Sequence, residues 1–113
     1  MRLIPVAAAA ALLTSCATYS EIQSKAPILE VVSAKTAAEY AGCIFPRARE
    51  LWRSTATIGP DGDRQVLTVA GDDTGVYATL TIAPEGAGSR VTYRGGAQLG
   101  KFRRFQDDIA ACL

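Results

Sequence analysis

Residues 76–82, Val-Tyr-Ala-Thr-Leu-Thr-Ile, alternate apolar and polar side chains without a break. Successive side chains of a strand point to opposite faces, so Val76, Ala78, Leu80 and Ile82 share one face and Tyr77, Thr79 and Thr81 the other. A strand of this kind belongs to an antiparallel sheet with one face covered and one face wet. Residues 90–94 (RVTYR) repeat the pattern with Val91 and Tyr93 inward, and residues 85–89 (EGAGS) between them read as a hairpin loop. Upstream, the turn signals IGPDGD and AGDDTG bound further β-branched stretches. The spacing predicts three or four antiparallel strands near 54–59, 64–70, 76–83 and 90–95.

An apolar sheet face must be buried against something. The C-terminal segment supplies a cover, for Leu99, Phe102, Phe105, Ile109 and Cys112 fall at steps of three and four in a helix expected over about 98–112. A second cover precedes the strands. Thr36-Ala37-Ala38-Glu39 has the spacing of a capping box, and Ala37, Tyr40, Cys43 and Ile44 follow on one helical face. Pro46 has no amide hydrogen and is expected to end or kink that helix near Phe45, with residues 46–52 (PRARELW) as a second helical piece. Residues 28–32 (ILEVV) fit a short strand or the lead-in to the helix. The expected architecture is α+β: a small antiparallel sheet packed on one face by an N-terminal and a C-terminal helix. At 113 residues one domain is expected, over residues 28–113. Polar residues 17–27 read as a tether.

The first fifteen residues have a different character. Arg2 is their one charge, an apolar run follows from Leu3 to Leu13, and small polar residues close the stretch. That is the layout of an export signal. The apolar run is too short to span a bilayer, which takes about 20 residues. Leu13-Thr14-Ser15-Cys16 resembles the lipobox of bacterial lipoproteins, with a Leu three residues before the cysteine and a small residue just before it. The resemblance covers only the first sixteen residues. It implies removal of residues 1–15, a diacylglyceryl thioether and an N-acyl group on Cys16, and, with Ala17 rather than Asp following, anchorage in the outer membrane facing the periplasm. An ordinary signal-peptidase cut after Ser15-Cys16-Ala17 and an uncleaved interfacial helix are the competing readings. Lipid on Cys16 would leave Cys43 and Cys112 as one pair for a disulfide in an oxidising compartment, the alternative being two buried free thiols. Such a bond, closing a loop of about 70 residues, is worth roughly 4 kcal/mol.

Loss of residues 1–15 removes Arg2 and leaves 11 basic against 11 acidic residues, a formal charge of zero. A nucleic-acid binder normally carries a basic excess, so none is expected as a partner. Histidine is absent from the whole chain. Imidazole bases, His metal ligands and Ser-His-Asp triads are therefore excluded. Neither remaining cysteine has a histidine to activate it, and no phosphate-cradling glycine motif occurs. Asp61, Asp63, Asp72, Asp73 and Glu85 fall in expected turns, where Asp belongs for backbone reasons. Asp61-Gly62-Asp63 lacks the other ligands of a calcium loop. No catalysis, cofactor or metal is expected.

Two features suit binding. Arg47, Arg49 and Arg53 surround Trp52, and Lys101, Arg103 and Arg104 lie on the last helix, where a disulfide between the helices would bring both basic groups to one end. Arginine beside an exposed aromatic suits carboxylates, phosphates or sugars. Against this stands a solvated helix face balanced by Glu50, Asp107 and Asp108, with Trp52 in the core. The second feature is the polar sheet face, with Tyr77, Thr79, Thr81, Thr92 and Arg94, or an unpaired strand edge open to strand addition. The functional expectation is a lipid-anchored binding or accessory module of the cell envelope with a protein or envelope partner. An anchored inhibitor or exclusion factor and, less favoured, a cell-wall hydrolase are the alternatives.

Overall fold

A computed structural model describes residues 18–71, 75–96 and 100–113 of the chain. Cys16, Asp72, Asp73 and Leu99 lie outside the described residues. Helix α1 (Tyr19–Gln23) is followed by strand β1 (Leu29–Ser33), helix α2 (Ala37–Trp52), a 3-10 turn (Arg53–Thr55), strands β2 (Ala56–Asp61), β3 (Arg64–Ala70), β4 (Val76–Glu85) and β5 (Gly88–Gly95), and helix α3 (Lys101–Ala111).

The strands form one antiparallel sheet in the order β1-β5-β4-β3-β2. Five strands replace the expected three or four, because residues 28–32 take the strand option and pair with β5. Val31 stands opposite Val91, and the Ile28 amide donates to the Tyr93 carbonyl at 2.8 Å. The alternation of residues 76–82 sets the central register as expected: Leu80 lies between Leu67 on β3 and Tyr93 on β5. The loop between β4 and β5 tightens to two residues, since Glu85 already pairs with Gly88. Gly86 there holds a positive φ of 57°, which glycine adopts without steric cost.

Ala78, Leu80, Ile82, Val91, Tyr93, Leu67, Val69 and Ala56 build the core from the sheet side. Helices α2 and α3 close it with Tyr40, Ile44, Ala48, Leu51, Phe105, Ile109 and Cys112. The capping box forms as its spacing predicts. Thr36 Oγ1 accepts from the Glu39 amide at 3.1 Å, and Glu39 Oε1 accepts from the Thr36 amide at 2.9 Å. That second bond holds the Glu39 carboxyl below its ordinary range.

The break at Pro46 does not occur, and α2 runs through it as one helix. Proline removes one amide bond, but Tyr40, Ile44, Ala48 and Leu51 form a single buried stripe on both sides of it. Burial of a large apolar side chain is worth about 1.5–3 kcal/mol, so a stripe of this kind outweighs the proline's cost of about 3 kcal/mol. Cys43 and Cys112 are joined, with Cα atoms 5.8 Å apart and a sequence separation of 69. The free-thiol alternative is thereby replaced by a covalent tie between α2 and the end of α3.

The polar face of the sheet is covered in part, while Glu30, Val32, Thr57 and Tyr77 on it stay exposed. The stretch expected as a tether contains α1, which lies on this face and buries Ile22 to 2% exposure. Gln23 Nε2 donates to Thr81 Oγ1 at 3.4 Å, and Thr79 Oγ1 donates to Gln23 Oε1 at 2.9 Å. Thr79 and Thr81 are left 1% and 4% exposed, so they hold α1 rather than face solvent. Arg94 Nε donates to the Lys25 carbonyl. Of the polar-face residues read as a binding surface, Tyr77 alone among the large hydrophobics remains well exposed. Among the described residues no helix is long and apolar enough to cross a membrane.

Candidate functional site

The last turns of α2, the 3-10 turn and the first turns of α3 meet at one end of the sheet, around a groove of about 500 Å³. Arg47, Trp52, Arg53 and Thr55 line it from one side, and Lys101, Arg104 and Asp108 from the other, with Glu50 and Leu51 between. Packing of Trp52 on Phe102 and Phe105 holds α2 against α3 at this end and brings the two basic groups of the sequence together, with the disulfide tying the helices at their other end. Four cations and two carboxylates therefore share one depression.

These groups are not equivalent. Arg47 Nη1 donates to Asp108 Oδ1 at 3.0 Å, so one cation and one carboxylate neutralise each other. Arg53, Lys101 and Arg104 have no carboxylate partner among the described residues, and the groove keeps a positive excess. Arg49 is not part of it. Its guanidinium lies 5.7 Å from the centre of the Phe45 ring, a cation–π contact elsewhere on α2. Arg103 likewise does not line the groove.

Trp52 has a double role. Its ring centre is 5.2 Å from that of Phe102 and 5.0 Å from that of Phe105, so one side packs on the core. The other side forms the groove wall. Trp52 is thus partly core and partly surface.

Arg53 is held in an unusual conformation, with φ of 54° and ψ of −129°, and no other described non-glycine residue has a positive φ. Its amide donates to the Arg49 carbonyl, and Thr55 Oγ1 donates to the Trp52 carbonyl at 2.6 Å. Together these bonds end α2 in a sharp reversal into β2, with Arg53 on the groove lining. Strain of this kind costs on the order of 1–3 kcal/mol in a non-glycine residue and collects at binding sites.

The groove can bind an anion or a planar anionic group by charge and by contact with indole. No histidine and no free cysteine is among the groove's side chains. No three His, Cys, Asp or Glu side chains cluster as metal ligands among the described residues.

Comparison with family models, curated proteins and solved structures finds no match for this chain. The basic residues of α2 and α3 were legible in the sequence. The Arg47–Asp108 pair and the reversal at Arg53 were not, since nothing in residues 52–56 marks a left-handed backbone: the usual signal is glycine, and arginine stands there instead.

Proposed function

We propose that the chain is an outer-membrane lipoprotein, anchored through acyl groups on Cys16, whose domain binds an envelope or protein partner in the periplasm rather than catalysing a reaction. The observation that carries this reading is the cysteine arrangement. Cys43 and Cys112 are bonded to each other, and Cys16 is the odd cysteine, placed directly after a charged-then-apolar leader ending in LLTS. A structural disulfide suits an exported protein. Several acyl chains hold a protein stably where one holds it reversibly, which fits a neutral domain with no charge attraction to lipid.

Binding through the α2–α3 groove is supported by its unpaired cations and by strain stored in Arg53. An enzyme role is opposed by the absence of histidine. The test is Cys16→Ser. The variant is expected to leave the membrane fraction or to stall with its leader attached, whereas a mature protein found by mass spectrometry to begin, unmodified, at Thr18 sinks the proposal.

A further inference from the structure

The N-cap of helix α1 lies two residues after Cys16. It is Thr18, with Oγ1 accepting from the Glu21 amide, and by Ile22 and Gln23 the chain is locked onto the sheet. Two covalent steps reach at most about 7 Å. One headgroup layer of a bilayer is about 5–7 Å thick. An acyl anchor holds its cysteine at that level, so a chain fixed at Thr18 has no length left with which to stand clear of the membrane.

We infer that the side of the domain bearing the start of α1 rests directly on the phospholipid headgroups of the leaflet that holds the acyl chains. The inference rests on lipidation of Cys16. The surface around that point has suitable chemistry. Tyr19, which is exposed, presents an amphipathic ring of the kind that settles at bilayer interfaces. Beside it Asp61, Arg64 and Arg94 border a depression of about 450 Å³ that Tyr19 and Ser20 also line. A carboxylate and two guanidiniums on one depression match the ammonium and phosphate of a zwitterionic headgroup such as phosphatidylethanolamine. Asp61 Oδ2 accepts from Arg64 Nη2 at 2.6 Å and from Tyr19 Oη at 3.4 Å, which ties the β2–β3 hairpin to the start of α1.

The mature chain is neutral, so contact is imposed by the short leash and not by long-range attraction. Helices α2 and α3 cover the other face of the sheet. The groove lies at Arg53–Thr55 before the start of β2, whereas Asp61 beside Tyr19 ends that strand, so the groove and the start of α1 are apart by the length of β2. Docking of α1 sets the leash: with α1 detached, about twelve covalent steps from Cys16 to Ile28 would reach about 40 Å.

The test uses the full acylated chain in vesicles of phosphatidylethanolamine and phosphatidylglycerol containing phosphatidylethanolamine spin-labelled on its headgroup. Trp52 is the native reporter of the groove side, because the chain has one tryptophan. In a Trp52→Phe background, Ser20→Trp, and Tyr19→Trp as a second variant should the first disturb the cap, report the α1 side alone. Both proteins are expected to float with the vesicles, with fluorescence at position 20 quenched at least twofold more than that of Trp52. A ten-residue Gly/Ser insertion after Ala17, adding a reach of about 17 Å, should remove most of that difference. Equal quenching on the two sides, or quenching unchanged by the insertion, overturns the inference while leaving the anchor intact. Failure to float removes the anchor reading itself, and the inference with it.

Discussion

Tyr40 and Ile109 are joined across the two long helices by a 2.7 Å hydrogen bond, the phenol of α2 donating to a carbonyl near the end of α3. The last carbonyls of a helix have no partner within it. Here the β1–α2 connection supplies them: Lys35 Nζ donates to Cys112 O and Ser33 Oγ to Leu113 O at 3.0 Å. Tyr93 is the contrast. Its hydroxyl is buried beneath Gly96 and Phe102 and has no partner among the described residues. Tyr40→Phe should therefore cost about 1–2 kcal/mol, whereas Tyr93→Phe removes an unpaired polar group and should be neutral or stabilising. Urea denaturation of the two variants measures the difference. Equal losses would show that the Tyr40 bond contributes nothing specific.

The same two phenols predict alkaline instability. Burial pushes both above the ordinary tyrosine value. A raised folded pKa means that the folded chain keeps protons which the unfolded chain has released, so stability is complete below about pH 10 and falls as pH rises beyond it. With two such groups the slope should approach about 2.7 kcal/mol per pH unit. Either Tyr→Phe variant should halve it. A slope unaffected by both substitutions would place the alkaline transition elsewhere.

How much of this was written in the sequence divides along the range of the forces involved. The inward faces of β4 and β5, the capping box at Thr36 and the inward face of α3 were legible, because each depends on residues within one turn or one strand. Pro46 misled, since its local cost is plain while the stripe that outweighs it needs the sheet as partner. Residues 17–27 misled in the other direction. Their polarity reads as solvated chain, yet Gln23 is polar because it bonds Thr79 and Thr81, and one apolar residue, Ile22, suffices to seat a five-residue helix. At the groove, the cations were visible and their sorting was not: that Arg49 stacks on Phe45 while Arg53 lines the groove follows from a backbone reversal without a sequence mark.

Reduction is expected to be costly in this small fold. The Cys43–Cys112 bond spans a separation of 69 residues, which in the chain-entropy relation gives roughly 4 kcal/mol. Cys43→Ser with Cys112→Ser should lower stability by about that amount and loosen α3 first, because the bond lies at its end. Hydrogen exchange read along the chain checks this: protection in α3 should fall more than in β4. A uniform loss across the sheet and helices would mean the tie acts only through the unfolded chain.

Arg53 offers a test in which stability and binding move in opposite directions. A residue with φ of 54° and ψ of −129° is strained unless it is glycine. Arg53→Gly should raise stability by about 1 kcal/mol, relief of strain exceeding the extra freedom that glycine gives the unfolded chain. The same change deletes a groove cation. If arginine is retained there for binding, the variant melts higher and binds less. A variant that melts lower would show that the Arg53 side chain makes a stabilising contact that offsets its backbone.

The groove itself is best tested by cations that differ only in position. Arg104 and Lys101 line it without a carboxylate partner among the described residues, while Arg49 lies on the same helix pair but over Phe45. All three are basic, and replacing any of them changes the net charge equally. Pyrophosphate, a compact polyanion, is a suitable probe, with Trp52 on the groove wall as the fluorescent reporter in detergent-solubilised full chain. A charge-assisted contact worth about 1 kcal/mol corresponds to about a fivefold change in affinity. Arg104→Ala and Lys101→Ala should each weaken binding by that factor, and Arg49→Ala should leave it unchanged. Added salt should weaken the wild-type complex as well, since the groove is open and its charges are screened. Trp52→Ala is unsuited to this comparison: with Phe102 and Phe105 against its ring, the loss would mix about 3 kcal/mol of packing with any loss of contact. If Arg49→Ala weakens the probe as much as Arg104→Ala does, only net charge matters, and the groove is no more a site than any other basic patch on the helices.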